Sequence, residues 1–258
     1  MALLAHRSAG KIMEAVLQRR HYVAFGKMAL LSGSFWDVFS RYLTGKGEYP
    51  TACEVRTPSG PVKPTLHTFY DLLTLNEIFF REDYPATAAD RVIVDIGSNI
   101  GLSALYFLTR GPETHCTLFE PDPRNVGRLK ENLADFSQSY DLNECAVADQ
   151  AGTVRFGLDV TSGRYGGLKS DFGHSTMVQC VHINTALKKT LDRHGRIDIL
   201  KIDTEGSEIE TIAAIDKTLL PRIRKIYIEA EPTTKLHPEF FTQKQYGTVC
   251  QLINKQPR

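Results

Sequence analysis

Two short segments share one pattern, and that pattern limits the folds open to this chain. Residues 92–101 and 199–208 each contain a β-branched run, an acid, a glycine turn and the start of an amphipathic helix. A strand that leads through a glycine turn into a helix is typical of an open α/β sheet, whose ligands bind at the carboxyl ends of the strands. The sequence therefore predicts a doubly wound, mostly parallel α/β sheet with a ligand site at that edge.

The first glycine turn constrains the kind of cofactor. Gly97 and Gly101 are spaced G-x-x-x-G, so the turn lacks the glycine that lets backbone close on a pyrophosphate in dinucleotide-binding folds. A cofactor without a pyrophosphate fits better, and S-adenosylmethionine is such a cofactor. The glycines would let backbone approach its aminoacyl end, and the helix start would offer N–H groups to its carboxylate. Predicted cofactor contacts in this turn are Asp95, Gly97, Ser98, Asn99 and Gly101.

Three motifs, taken in order, resemble those of a known family. The turn 95–101, the Glu-Pro-Asp-Pro run 120–123 and the run 201–208 look like the FkbM-type methyltransferases, with similarity from about residue 71 to about residue 231. The resemblance implies a class I methyltransferase (Rossmann-like) fold and O-methylation, often of sugar hydroxyls in glycans or secondary metabolites. Ser98 stands where alanine or glycine is more usual in the turn.

The ends of the second and third strands extend the predicted cofactor site. Glu120 lies at the tip of the second strand, where such folds place an acid that accepts hydrogen bonds from both ribose hydroxyls. The alternative is a simple turn role before Pro121, which is also predicted to line the cofactor. Ala146 and Val147 end the third strand, where the adenine edge would lie; plain core packing is the alternative for both.

Methylation of a hydroxyl also requires removal of its proton. A carboxylate or histidine within hydrogen-bond reach could take it, or a divalent ion could lower the pKa of the hydroxyl. Asp203, at the end of the fourth strand, is the first candidate base, and His174 and His182 follow. Asp203 and Glu229, which ends the fifth strand, supply the hard oxygen ligands that suit Mg²⁺.

Charged neighbours of Asp203 have two open interpretations. Glu205 and Glu208 could join a metal-binding carboxylate cluster, but the helix dipole favours acids in a first helical turn without any function. Lys201 lies earlier in the same strand, and we expect it to pair with a carboxylate there.

The remaining segments predict appendages to the sheet. Residues 1–90 are expected to form a helical N-terminal cap and hairpin that belong to the same unit as the methyltransferase domain, 91–258. The predicted cap elements are helices over 8–20, 26–43 and 68–81 and a hairpin from residue 52. A substrate lid or a membrane-surface helix is the alternative reading of the first two helices.

Two further features concern the edges of the sheet. Residues 152–158 and 176–183 are β-patterned runs separated by glycines, which predicts a small antiparallel insertion at the ligand mouth. The tail predicts a helical turn over 238–243 and one strand over 247–253. A class I methyltransferase sheet ends in two strands, so this edge is expected to be abbreviated.

Composition excludes some classes of partner. Lys and Arg number 31 against 30 Asp and Glu, so no overall field would recruit nucleic acid or an anionic membrane. The five cysteines are scattered singly, which favours reduced core thiols and a cytoplasmic location. No run reaches transmembrane length, and the opening apolar stretch is too short for a signal peptide. The expected partner is a small-molecule or glycan substrate, and the oligomeric state stays open.

The sequence therefore predicts an S-adenosylmethionine-dependent O-methyltransferase acting on a hydroxyl of a carbohydrate or glycosylated metabolite. One alternative is a non-catalytic binding or scaffold protein on the same fold, against which the presence of both Asp203 and Glu120 argues. A nicotinamide-dependent oxidoreductase is disfavoured because G-x-G-x-x-G is absent. Fold resemblance alone does not transfer a substrate.

Overall fold

The chain divides into two compact units, Met1–Pro85 and Ala86–Arg258. The computed structural model describes residues 19–158, 167 and 174–256. Within those ranges, no helix combines the length and apolar character needed to cross a membrane.

The first unit combines helices with short strands. β2 pairs with β3 and β1 with β4, both antiparallel, so the predicted hairpin is confirmed. The elements are α1 (Arg19–Leu31), α2 (Phe35–Thr44), β1 (Thr51–Ala52), β2 (Val55–Thr57), β3 (Gly60–Val62), β4 (Thr65–Leu66), α3 (Phe69–Leu75) and a π-helical turn (Asn76–Phe80).

The prediction of one helix over 26–43 is wrong, because the chain turns between α1 and α2. At the break, the Gly33 N–H donates to the Glu54 carbonyl at 2.9 Å. A Cβ on Gly33 would lie 2.8 Å from atoms of the Glu54 side chain, so this approach favours glycine. The helix predicted over 8–20 falls outside the described residues except for its last two positions.

Within the described residues, the second unit contains a seven-stranded sheet in the order β13-β14-β12-β11-β5-β6-β7. The strands from β12 to β7 run parallel, and β14 is antiparallel to both of its neighbours. This confirms the predicted mostly parallel α/β sheet. Its elements are β5 (Val92–Ile96), α4 (Leu102–Leu108), β6 (His115–Phe119), α5 (Pro123–Asn132), β7 (Tyr140–Asn143), α6 (Ile183–His194), β11 (Ile197–Ile202), α7 (Glu208–Ala213), β12 (Ile223–Glu229), β13 (Phe241–Tyr246) and β14 (Val249–Asn254).

The two central strands, β5 and β11, are buried along their whole length, as expected for parallel strands covered on both faces. Alternate residues such as Ile96 and Ile202 join a core that includes Leu187 of α6 and Ile212 of α7. In a strand, the intervening residues point to the opposite face. Asp95 of β5 and Lys201 of β11 therefore lie on the face away from this core.

The third predicted strand, 142–147, is wrong as a single element. β7 ends at Asn143, and β8 (Ala146–Ala148) pairs instead with the insertion. There β10 (His174–His182) runs parallel to β8 and antiparallel to β9 (Gly152–Leu158), which confirms the antiparallel insertion. Residues 159–166 and 168–173, between β9 and β10 in the sequence, lie outside the described ranges.

The strand predicted over 247–253 is confirmed by β14, but the helical turn and the abbreviated edge predicted for the tail are wrong. β13 includes residues 241–243 of the segment predicted as a helical turn, and β14 pairs with both β13 and β12, so two strands complete the sheet. The buried Asn254 anchors this edge: its side-chain amide donates to the carbonyls of Leu220 at 3.0 Å and Ile223 at 2.8 Å.

Asn254→Ala is expected to lower the free energy of unfolding by roughly 1–3 kcal/mol, because two buried carbonyls lose their donor. Urea denaturation measures this change. Thr242→Ala, at an exposed position on β13, is the control and is expected to change stability by less than about 0.5 kcal/mol. Equal stability for the two variants would contradict the anchoring role.

Candidate functional site

The turn after β5 is held by backbone from both neighbouring strands. The N–H groups of Gly97 and Ser98 both donate to the Phe119 carbonyl at 3.0 Å, and the Asp203 N–H donates to the Ile96 carbonyl at 3.1 Å. Gly97 has φ +79°, and a Cβ there would lie 1.8 Å from the Asp203 carbonyl oxygen. The close backbone of Asp203 therefore already requires a glycine at position 97. The predicted approach of a cofactor is not needed to explain this residue.

The rest of the turn is equally constrained. Gly101 has φ +85°, and a Cβ there would lie 3.1 Å from the Leu129 side chain on α5. Asn99 adopts φ +49°, a left-handed conformation that asparagine tolerates better than most residues. Ser98 is buried, and its hydroxyl donates to the Asp95 carbonyl at 2.9 Å. The predicted cofactor contacts of these residues stay predictions.

A buried lysine joins the ends of the two central strands. The Lys201 Nζ lies 3.1 Å from Asp95 Oδ1 and 3.3 Å from Asp203 Oδ2, and it donates to the Gly97 carbonyl at 3.1 Å. The Ser103 hydroxyl on α4 donates to Asp95 Oδ2 at 2.6 Å. The expected pairing of Lys201 with a carboxylate is confirmed, whereas no sequence pattern singled out Ser103.

Burial and charge have opposite effects on the pKa values in the network formed by Lys201, Asp95, Asp203 and Ser103. Burial raises the pKa of Asp95, against the effects of Lys201 and Ser103. Burial alone would lower the pKa of Lys201, but the carboxylates of Asp95 and Asp203 raise it above its ordinary value. Lys201 therefore stays an ammonium. Because Asp95 is fully buried and engaged by both partners, its predicted contact with the cofactor amine stays a prediction.

Glu120 connects the second strand to the turn. Its carboxylate accepts the Asn99 N–H at 2.8 Å and the Asp122 N–H at 2.9 Å. Burial raises the pKa of Glu120 to about 7, against the two backbone donors and the side chain of Asn125. Glu120 therefore has a turn role, and its predicted role in ribose binding stays open beside it.

The Glu-Pro-Asp-Pro run has a local structural explanation. Asp122 is the N-cap of α5 and accepts the Arg124 N–H at 2.9 Å, and Pro123 occupies the first helical position. Proline suits that position because its missing N–H would have no intrahelical partner there. Sequence analysis had not drawn this cap from the motif. Pro121, a predicted cofactor contact, is half-buried beside Glu120.

The acids after Asp203 separate into different roles. Glu208 is buried, and its carboxylate accepts the N–H groups of Thr204 at 2.8 Å and Gly206 at 3.0 Å. It therefore stabilises the loop before α7. Glu205 is exposed and adopts φ +55°.

The described residues do not support the predicted Mg²⁺ site. The pairing of Ile202 with Ile228 brings Asp203 and Glu229 to the ends of adjacent strands. Glu229 is exposed and accepts a hydrogen bond from Thr248 at 3.3 Å. Across the described residues, no group of three or more His, Cys, Asp or Glu side chains could hold a metal ion.

The two candidate histidines lie at opposite ends of β10, and their catalytic roles stay predictions. At about 3.3 Å per residue, this nine-residue strand separates them by roughly 26 Å. His174 is exposed at the start of the strand. His182 ends it and caps α6, where its Nδ1 accepts the Asn184 N–H at 3.1 Å.

Ala146 and Val147 lie outside the main sheet. Both are buried in β8, which pairs with the insertion, and Val147 also joins the core beneath α6. This placement is the plain packing that sequence analysis had kept as the alternative. Their predicted contact with adenine stays a prediction.

Lys201→Met is expected to lower the free energy of unfolding by roughly 3–5 kcal/mol, because it leaves the buried Asp95 carboxylate without its cation. The double variant Asp95→Asn/Lys201→Met removes both charges and is expected to recover much of that loss. Chemical denaturation measures both effects.

Lys225→Met provides a matched control on the adjacent strand. Lys225 lies 3.1 Å from the buried Asp90, which is also paired with Arg224. Because Arg224 remains in this variant, a smaller loss of unfolding free energy is expected than for Lys201→Met. A Lys201→Met variant as stable as the wild-type protein would contradict the role given to the network.

Two relatives found by comparison with known proteins are named methyltransferases. The chain is 25% identical over 178 residues to "Methyltransferase sdnD" of Sordaria araneosa, covering 57% of this chain and 69% of that protein. It is 30% identical over 155 residues to "2-O-methyltransferase NoeI" of Sinorhizobium fredii, covering 54% of this chain and 63% of that protein.

A solved structure and a family model complete the comparisons. The crystal structure of "Methyltransferase FkbM" from Methylobacillus flagellatus aligns with a TM-score of 0.48 at 15% identity, over 91% of this chain and 59% of that one. The chain thus spans less than two thirds of NoeI and of this solved protein. The family model described as "Methyltransferase FkbM domain" matches residues 95–253. Because this match covers more than half of the sequence, the chain belongs to the FkbM methyltransferase family.

Proposed function

We propose that this protein is an S-adenosylmethionine-dependent O-methyltransferase that methylates a hydroxyl of a sugar in a glycan or glycosylated metabolite. The observation that carries the proposal is the direct bonding of the turn 95–101 to both Glu120 and Asp203 at the carboxyl edge of one sheet. Ligands of open α/β sheets bind at that edge. The relative NoeI is named a 2-O-methyltransferase, which supports transfer to oxygen.

The residues at this edge fit the cofactor. Glu120 supplies a carboxylate that is already held in place by two backbone donors, with lone pairs left for ribose hydroxyls. The adjoining turn is rigid and, through Asn99, is bonded to the same carboxylate. When bound, the cofactor supplies an activated methyl group whose carbon–sulfur bond breaks as the acceptor oxygen attacks.

Asp203 is the residue that takes the proton of the acceptor hydroxyl. Its side chain is 25% exposed, whereas those of Asp95 and Lys201 are almost completely buried, so it is the member of the network that a substrate could reach. The Lys201 ammonium holds one of its oxygens and leaves the other for a substrate. A positioned base of this kind contributes typically ~10²–10⁴-fold in rate.

The alternatives make different predictions about binding. A nicotinamide oxidoreductase would bind NAD, and a scaffold protein would bind the cofactor without turnover.

The proposed setting is cytoplasmic, with a small-molecule or glycan acceptor. All five cysteines fall in the described ranges and are free thiols, which supports a reducing compartment.

Cofactor affinity is expected to depend on pH through Glu120. Because burial raises the pKa of Glu120 to about 7, the free protein holds this carboxyl mostly protonated below that pH. Ribose hydroxyls donate best to the ionised form. The affinity for S-adenosylhomocysteine is therefore expected to rise about tenfold per pH unit on approaching neutrality and to level off above it.

Calorimetry between pH 5.5 and 8.5 measures this dependence, and Glu120→Gln is expected to bind more weakly at all pH values, without the rise. Asp135→Asn, at an exposed carboxyl after α5, is the control and is expected to keep the wild-type profile. If the affinity still rose with pH in Glu120→Gln, the proposed role of Glu120 in ribose binding would be wrong.

Asp203→Asn is expected to lower turnover by ~10²-fold or more, because the side chain keeps its shape but loses the capacity to accept a proton. The measurement is the release of S-adenosylhomocysteine with a panel of methyl glycosides as acceptors. Asp192→Asn, at an exposed position in the last turn of α6, is the matched control and is expected to keep turnover. Near-normal turnover in Asp203→Asn would show that this residue is not the base. If EDTA abolished the activity of the wild-type protein and Mg²⁺ restored it, the mechanism would instead involve a metal ion.

A further inference from the structure

The network around Lys201 contains more negative than positive charge. One ammonium faces two carboxylates, Asp95 at 3.1 Å and Asp203 at 3.3 Å, and the neutral carbonyl of Gly97 at 3.1 Å. The network therefore carries one surplus negative charge.

Burial decides which residue presents that surplus. The side chains of Asp95 and Lys201 are 0% and 2% exposed, whereas that of Asp203 is 25% exposed. Inside the protein, Asp95 Oδ2 accepts the Ser103 hydroxyl at 2.6 Å and Asp95 Oδ1 lies 3.1 Å from the Lys201 Nζ. The surplus charge therefore faces outward through Asp203, whose own backbone lies against the turn at Gly97.

The neighbouring acids are less suited to this role. The Glu208 carboxylate is buried against backbone N–H groups of its own loop. Glu205 and Glu229 are exposed, so water screens their charges more strongly. Asp203 combines partial burial with a fixed position, and both strengthen its interaction with a nearby charge.

We propose that Asp203 makes the site discriminate between the two forms of the cofactor, holding the cationic methyl donor more tightly than the neutral product. This inference rests on the proposed function. Transfer breaks the bond from the methyl carbon to sulfur and forms one to the acceptor oxygen, while the hydroxyl proton goes to Asp203. The sulfonium thereby becomes a neutral thioether, and the site loses its attraction for the spent cofactor.

The test measures binding and needs no acceptor. Calorimetry with S-adenosylmethionine, S-adenosylhomocysteine and sinefungin, an unreactive analogue in which an amine-bearing carbon replaces the methylated sulfur, gives the affinity ratio of cationic to neutral forms. In Asp203→Asn this ratio is expected to fall by about tenfold, the scale of one partly screened charge pair. Affinity for S-adenosylhomocysteine is expected to change little.

Two variants separate net charge from other effects. Asp192→Asn removes an exposed charge near the end of α6 and is expected to leave the ratio unchanged. Asp203→Ser is a second neutral variant, and circular dichroism checks that each variant is folded.

Three results would overturn the inference. These are a wild-type ratio in both neutral variants of Asp203, an equal fall of the ratio in Asp192→Asn, or a larger fall in Glu205→Gln or Glu229→Gln than in Asp203→Asn. Failure of the proposed function looks different, because the wild-type protein would then bind neither form of the cofactor.

Discussion

The site depends on a buried ammonium that has enough acceptors around it. Burying a lysine without partners would cost several kcal/mol, and the group would then lose its proton. Lys201 avoids this cost because β5, its following turn and the end of β11 each place an oxygen against it. The same contacts fix the two strand ends and the turn relative to one another. Removing the ammonium would therefore disturb the fold and the site together.

Local patterns predicted most of the sheet but not its edges. The central strands are β-branched runs that end in glycine turns, and both signals lie within a few residues. β13 lacks such a signal because it is an edge strand: Gln243, Lys244 and Gln245 leave no apolar alternation, and its pairing with β14 decides its structure. The third strand was misjudged for a related reason, because β8 pairs with β10, more than thirty positions further along the chain.

At the site, sequence analysis located the residues better than it explained them. Gly97 was expected to make room for a cofactor, yet the atom that excludes a side chain there belongs to Asp203, over a hundred positions away. No local pattern reveals such a contact. The candidate histidines were considered together because both lie in one insertion, although the extended strand separates them. In contrast, the pairing of Lys201 could be predicted, because acids at the ends of parallel strands meet at one edge.

β10 runs into α6 without a linker, since His182 ends the strand and Ile183 begins the helix. A one-residue deletion within β10 would move every later side chain of the strand to its other face. It would also rotate the start of α6 by about 100°, one residue's share of a 3.6-residue turn. The pairing register of β10 and the orientation of α6 are therefore coupled, and a change of length inside the strand would alter both.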